Sequence, residues 1–139
     1  MMTPKEIQNA VDRNIPLPAG LTTTGDLNLG SYAHPLPAGL TTTIKNDFFE
    51  ILTLSFDEIP ALKKALHEGK IDGSTYEGTC RCLVGTLEKA GKGRLTLPHI
   101  ATRPAERWFA HIREGDTPKT NQNAHYADQW IEEFLATRN

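Results

Sequence analysis

Residues 16–24 read PLPAGLTTT and residues 35–43 read PLPAGLTTT again, at an offset of nineteen. Nothing else in the chain limits its fold as tightly, because one nonapeptide must find two places in a protein of 139 residues. The prolines exclude helix interior and favour extended backbone around them. The threonine triplets favour strand. After the first copy, Gly25-Asp26-Leu27-Asn28-Leu29 places Leu27 and Leu29 on one side of an extended segment, and Gly30 opens a turn. After the second, Ile44-Lys45-Asn46-Asp47 precedes an apolar run, residues 48–54, in which Leu52-Thr53-Leu54 parallels Leu27-Asn28-Leu29. Ile59-Pro60-Ala61-Leu62 is a fainter echo of the proline–leucine motif.

PLPAGLTTTGDLNL resembles the short leucine-rich repeats of bacterial and phage proteins, whose units of about twenty residues carry LP-x-x-L and then L-x-L. The resemblance implies short strands that stack on their neighbours. About three such units are needed before the leucines are buried. Two copies and an echo are therefore a remnant, and flanking helices must finish its core.

The helices are legible from caps and apolar spacing. Thr3-Pro4-Lys5-Glu6 is a capping box with proline in the first turn, and Ile7, Ala10, Val11 and Ile15 then share a face, with an end near Asn14. Ser55-Phe56-Asp57-Glu58 offers a second start, followed by the stripe Ile59, Leu62, Ala65, Leu66 and a stop at Gly69. Leu83, Val84 and Leu87 mark a short helix ending at Gly91. Thr102-Arg103-Pro104 starts another through Trp108, Phe109 and Ile112, closed by Gly115. The last runs from about Asn123 with the stripe Ala127, Trp130, Ile131, Phe134 and Leu135. The expected fold is α+β: short N-terminal strands from the two repeats plus four to five short helices. Residues 1–54 form a capping helix and repeat remnant, residues 55–139 a helical region, and the two make one compact unit.

The segment from Leu66 to Leu135 also resembles uncharacterised small proteins of bacterial and prophage genomes, through DGSTYEGTCRCLVGTL, RPAERWFAHIREGDTP and WIEEFL. That resemblance implies a phage or mobile-element setting and brings no activity with it.

Charge and cysteine content narrow the chemistry. The net charge of −2 is too small for a protein that imitates DNA through surface acid. It hides an asymmetry: +4 between Lys89 and Lys119, and −6 over the rest. The two cysteines, Cys80 and Cys82, are separated by one residue, a spacing that suits neither a relaxed disulfide nor a zinc site without histidine help. With an N-terminus that carries acids and lacks an apolar stretch, this points to a reducing, cytoplasmic setting. No metal, cofactor or membrane span is expected, and GTLEKAGKG lacks the spacing of a phosphate loop.

Two functions follow from these residues. The first is a protein-interaction module, most concretely a small phage or mobile-element protein that binds and inhibits a host factor. Host defence, including CRISPR machinery, is the natural target of that class, and Tyr76 in its glycine-flanked loop is a candidate anchor. The second is a binder of a phosphorylated ligand or nucleic acid. On one helical face Arg103, Arg107 and His111 would stand at i, i+4 and i+8, with Lys92 and Arg94 in the loop before them. Its structural counterpart is that these arginines pair with acids from the negative remainder of the chain. An enzyme is not expected, since no nucleophile, base and oxyanion site assemble from spacing. Unpaired strand edges would also allow a homodimer that completes the missing repeats.

Overall fold

The two copies of the nonapeptide share a left-handed glycine followed by a buried leucine. In the computed structural model, which describes residues 3–22, 27–37, 39–74, 81–91 and 103–137, Gly20 and Gly39 take φ of 88° and 83°. Only glycine adopts that backbone without strain. Each turn delivers the next leucine, Leu21 or Leu40, into the core, with Leu17 and Leu36 half-buried beside them. In the second copy the Leu40 N–H donates to the Pro37 carbonyl at 3.2 Å. The threonines that follow do not extend. Thr42 and Thr43 open a helix, α2 (Thr42–Leu54), because Ile44, Phe48, Ile51 and Leu52 recur at helical spacing and all four are buried.

This corrects the α+β expectation. The described residues hold six helices and a 3₁₀ turn but no strand. Besides α2 these are α1 (Pro4–Asp12), α3 (Ile59–His67), α4 (Leu83–Ala90), α5 (Pro104–Phe109) and α6 (Gln122–Thr137). The one described β contact is an isolated bridge between Ile71 and Arg81.

Leu27 and Leu29 are both buried, as the alternation predicts, yet they belong to no sheet among the described residues. The reason is that side-chain amides take the place of neighbouring strands. On one edge, Gln8 of α1 donates from Nε2 to the Asn28 carbonyl and accepts the Asn28 N–H at Oε1, both at 2.8 Å. On the other, Asn123 of α6 donates from Nδ2 to the Leu27 carbonyl (3.0 Å) and accepts the Leu29 N–H at Oδ1 (2.8 Å). A carboxamide carries one donor end and one acceptor end, which is what an extended residue needs on each side.

Helix termini are closed partly in cis and partly across the fold. Thr3 and Glu6 form the expected capping box on α1. Ser55 does not cap as expected: its hydroxyl donates back to the Ile51 carbonyl at 2.8 Å, and the chain passes through the 3₁₀ turn Phe56–Glu58 into α3. Cys82, at the N-terminus of α4, makes no side-chain cap. Instead Glu106 of α5 accepts the Val84 N–H at 2.8 Å. The N-terminus of α5 is capped in turn by Asp47 of α2, which accepts the Ala105 N–H at 3.0 Å. Asn121 caps α6 through the Ala124 N–H.

A single core runs from Ile7 to Phe134, centred on Phe48, Phe109, Trp108 and Trp130, with ring centroids 5.4 Å apart for Phe48–Phe109 and 5.1 Å for Trp108–Trp130. The loop after α3 locks onto the loop after α5: Gly73 N–H donates to the Ile112 carbonyl and Gly115 N–H to the Gly69 carbonyl, both at 2.8 Å. A Cβ on Gly73 would lie 2.0 Å from the Phe109 carbonyl oxygen, so only glycine fits there. No described helix is long and apolar enough to cross a membrane.

Candidate binding surfaces

The basic stripe anticipated over residues 103–111 does not run along one helix, because α5 ends at Phe109. Arg103 stands at the N-cap of α5 and turns back to α2, donating to Asp47 Oδ1 from Nε at 3.0 Å and from Nη2 at 2.6 Å. Glu50 lies 3.6 Å from the same guanidinium. Both members of the Arg103–Asp47 pair are mostly buried, with side chains 16% and 14% exposed. The hydrogen bonds to Asp47 hold the guanidinium pKa above its ordinary value against the cost of burial. Arg107 is half-buried and makes no ion pair among the described residues. The helix ends at Phe109, so His111 leaves the stripe. It lines a cavity of ≈ 560 Å³ with Pro4, Lys5, Gln8, Asp12 and Asn28. His111 therefore lies beyond the helix that carries Arg107, and Arg103 is engaged by Asp47. Lys92, Arg94 and Tyr76 lie outside the described residues.

The His111 cavity adjoins a second one of ≈ 370 Å³, which shares Asp12 and Asn28 and continues past Asn14, Gly30 and Ser31 to Tyr32. Together they form a polar groove beside α1. Much of its hydrogen-bonding capacity is spent on the fold. Gln8 holds Asn28 and donates to Asp12, Asn14 accepts the Ala33 N–H at 3.0 Å, and Asn28 Oδ1 accepts the Gly30 N–H. Tyr32 is buried, donates to the Ile15 carbonyl at 2.7 Å, and has its phenol pKa raised by burial. It braces the groove from within. Tyr126 is half-buried against His125 and Trp130.

Cys82 is not equipped as a nucleophile. Its side chain is buried, and burial, reinforced by the Glu106 carboxylate, pushes the thiol up to about 12. Cys80 lies outside the described residues. Among those described, no group of three or more His, Cys, Asp or Glu stands where it could hold a metal ion.

The remaining surface feature is apolar. Leu54 ends α2 at 55% exposure, and Phe56 follows at 45% in the 3₁₀ turn. The Phe56 ring lies 6.4 Å from Phe134 of α6, which also meets Phe49 of α2 at 5.2 Å. Of the two exposed apolar side chains, Phe56 thus rests on an aromatic pair shared by two helices.

Comparison with protein-family models, curated proteins and solved structures returns no match.

Neither Leu54 nor Phe56 stood out in the sequence. By sequence Leu54 belongs to the Leu-x-Leu parallel of Leu27-Asn28-Leu29, and Phe56 to a helix start. A signal was present: once Ile44, Phe48, Ile51 and Leu52 define the inner face of α2, Leu54 falls outside it.

Proposed function

We propose that the chain is a non-catalytic protein-interaction module that meets its partner through the apolar edge formed by Leu54 and Phe56. The observation that carries this reading is that Leu54 and Phe56, two residues apart at the end of α2, are both exposed, with the Phe56 ring beside Phe134. Scattered exposed leucines are ordinary on soluble proteins, whereas a contiguous apolar patch with an aromatic anchor is the usual core of a protein interface. The resemblance of residues 66–135 to small prophage proteins supports the setting. In its most concrete form the module binds and inhibits a host factor, with defence machinery as the target class. The competing phosphate-binding reading loses support from the engagement of Arg103 by Asp47.

Affinity capture from a bacterial lysate tests the proposal when run with and without nuclease and at low and high salt. A stoichiometric protein partner that survives both treatments is the expected result, because an apolar contact is insensitive to charge screening. Recovery only of nucleic acid that washes away with salt would overturn it, since counterion release makes phosphate binding salt-dependent.

A further inference from the structure

The polar groove beside α1 is organised by one amide nitrogen. Gln8 Nε2 donates at 2.8 Å both to Asp12 Oδ1 and to the Asn28 carbonyl, so the Asp12 carboxylate is held close to Asn28. Just after α1, Asn14 Oδ1 accepts the Ala33 N–H at 3.0 Å and the Ile15 carbonyl accepts the Tyr32 hydroxyl at 2.7 Å, which fastens the far side of the groove. These bonds leave a definite set of atoms facing solvent. Among the described residues Asp12 Oδ2, the Nδ2 groups of Asn14 and Asn28, and the Ser31 hydroxyl make no hydrogen bond, and all four residues line the ≈ 370 Å³ cavity. The buried side chains of Val11, Leu29 and Tyr32 complete its lining.

We propose that this cavity binds a single neutral hexose ring through its vicinal hydroxyls. The class follows from the atoms left to a ligand: a carboxylate oxygen that accepts, two amide groups that donate, and a hydroxyl that does both. Neighbouring sugar hydroxyls, each a donor and an acceptor, satisfy all of them together. An anion would instead face the Asp12 carboxylate, and an ammonium group, which only donates, would leave both amides unanswered. The volume, near the lower end of ligand pockets, suits one ring. Because Gln8, Ala33 and Tyr32 fix the walls through bonds of the fold itself, little ordering is required when a ligand arrives. The cavity shares no residue with the Leu54–Phe56 edge, so neither proposal depends on the other.

The methyl glycosides of glucose, galactose and mannose are the probes, each titrated separately while backbone amide chemical shifts of the full-length protein are followed. Saturable shifts confined to residues 8–14 and 28–33 are expected with at least one of them. Asp12→Asn keeps the oxygen that meets Gln8 but replaces a charged acceptor by a neutral one, and should weaken that sugar about tenfold. Ser31→Phe, at an exposed position on the rim, fills the cavity and should abolish binding. Butylammonium, which can answer only the carboxylate, should not saturate. Failure of all three glycosides to saturate up to about 100 mM, too weak for a site, would overturn the proposal. Butylammonium binding as tightly as the sugar, or sugar binding that both variants retain while their other amides keep wild-type shifts, would overturn it equally.

Discussion

Asn123 shows how much a single buried amide can organise. Its side chain holds Leu27, Leu29 and the Trp108 carbonyl at once, while its own carbonyl accepts the Trp108 indole N–H at 2.9 Å. Asn123→Ala would leave the Leu27 carbonyl and the Leu29 N–H without these partners, while the Trp108 carbonyl keeps the His111 N–H, and should cost about 2 kcal/mol or more in urea denaturation. Gln8→Ala, whose bonds lie in exposed positions, should cost about 1 kcal/mol. Cys82 gives a pH test at the same scale. Its thiol ionises at about 12 in the fold rather than 9.0. Between those values the unfolded chain releases a proton that the native chain keeps, so this group withdraws stability as pH rises from about 9 to about 12 and has no effect below. The stability of wild type relative to Cys82→Ala should therefore fall by about 1 kcal/mol between pH 8 and pH 10, as read from paired denaturation curves. Asn123 was visible in the sequence only as the start of a helix. A contact to residues more than ninety positions away leaves no local spacing to read.

At the scale of elements, caps and periodicity were reliable where the helix closes its own ends. The capping box of α1, the stripe of α3 and the aromatic face of α6 all stand where the spacing puts them. They failed where a helix is closed by another. Asp47 and Glu106 cap α5 and α4 across the fold, and neither acid is near those helices in sequence. That Arg103 pairs with an acid from the rest of the chain was legible in the charge asymmetry, but not that the acid is Asp47, 56 residues away. A double-mutant cycle on Asp47→Ala and Arg103→Ala should give a coupling energy of about 1–3 kcal/mol, measured as stability. Arg107→Glu, by contrast, should change stability by less than about 0.5 kcal/mol. Equal effects at the two arginines would contradict the Asp47 pairing. The nonapeptide is the instructive miss. Its turn was encoded in the glycine, but strand or helix afterwards depends on the next ten residues. The spacing of Ile44, Phe48, Ile51 and Leu52 outweighs threonine's preference for strands.

For the molecule as a whole, residues 1–54 and the helices that follow are fastened by polar contacts as well as by the shared core. Asp47–Arg103, Lys45–Glu133 and the Asn123 bonds all cross between them, while His67 and Lys63 reach from α3 to Asp128 of α6. Within the helical region, the loops after α3 and α5 meet most closely at Gly73. Gly73→Ala forces the two loops apart and should cost more than about 4 kcal/mol or prevent folding, seen as loss of a cooperative thermal transition. A scaffold tied together in this way makes the exposed Leu54 and Phe56 a fixed surface rather than a fraying end. The decisive measurement compares partner capture by wild type with that by a Leu54→Ser, Phe56→Ser double variant of matched thermal stability. Loss of the captured protein from the variant, with Arg107→Glu retaining it, is the predicted result. Undiminished capture by the double variant would show that the partner is held elsewhere.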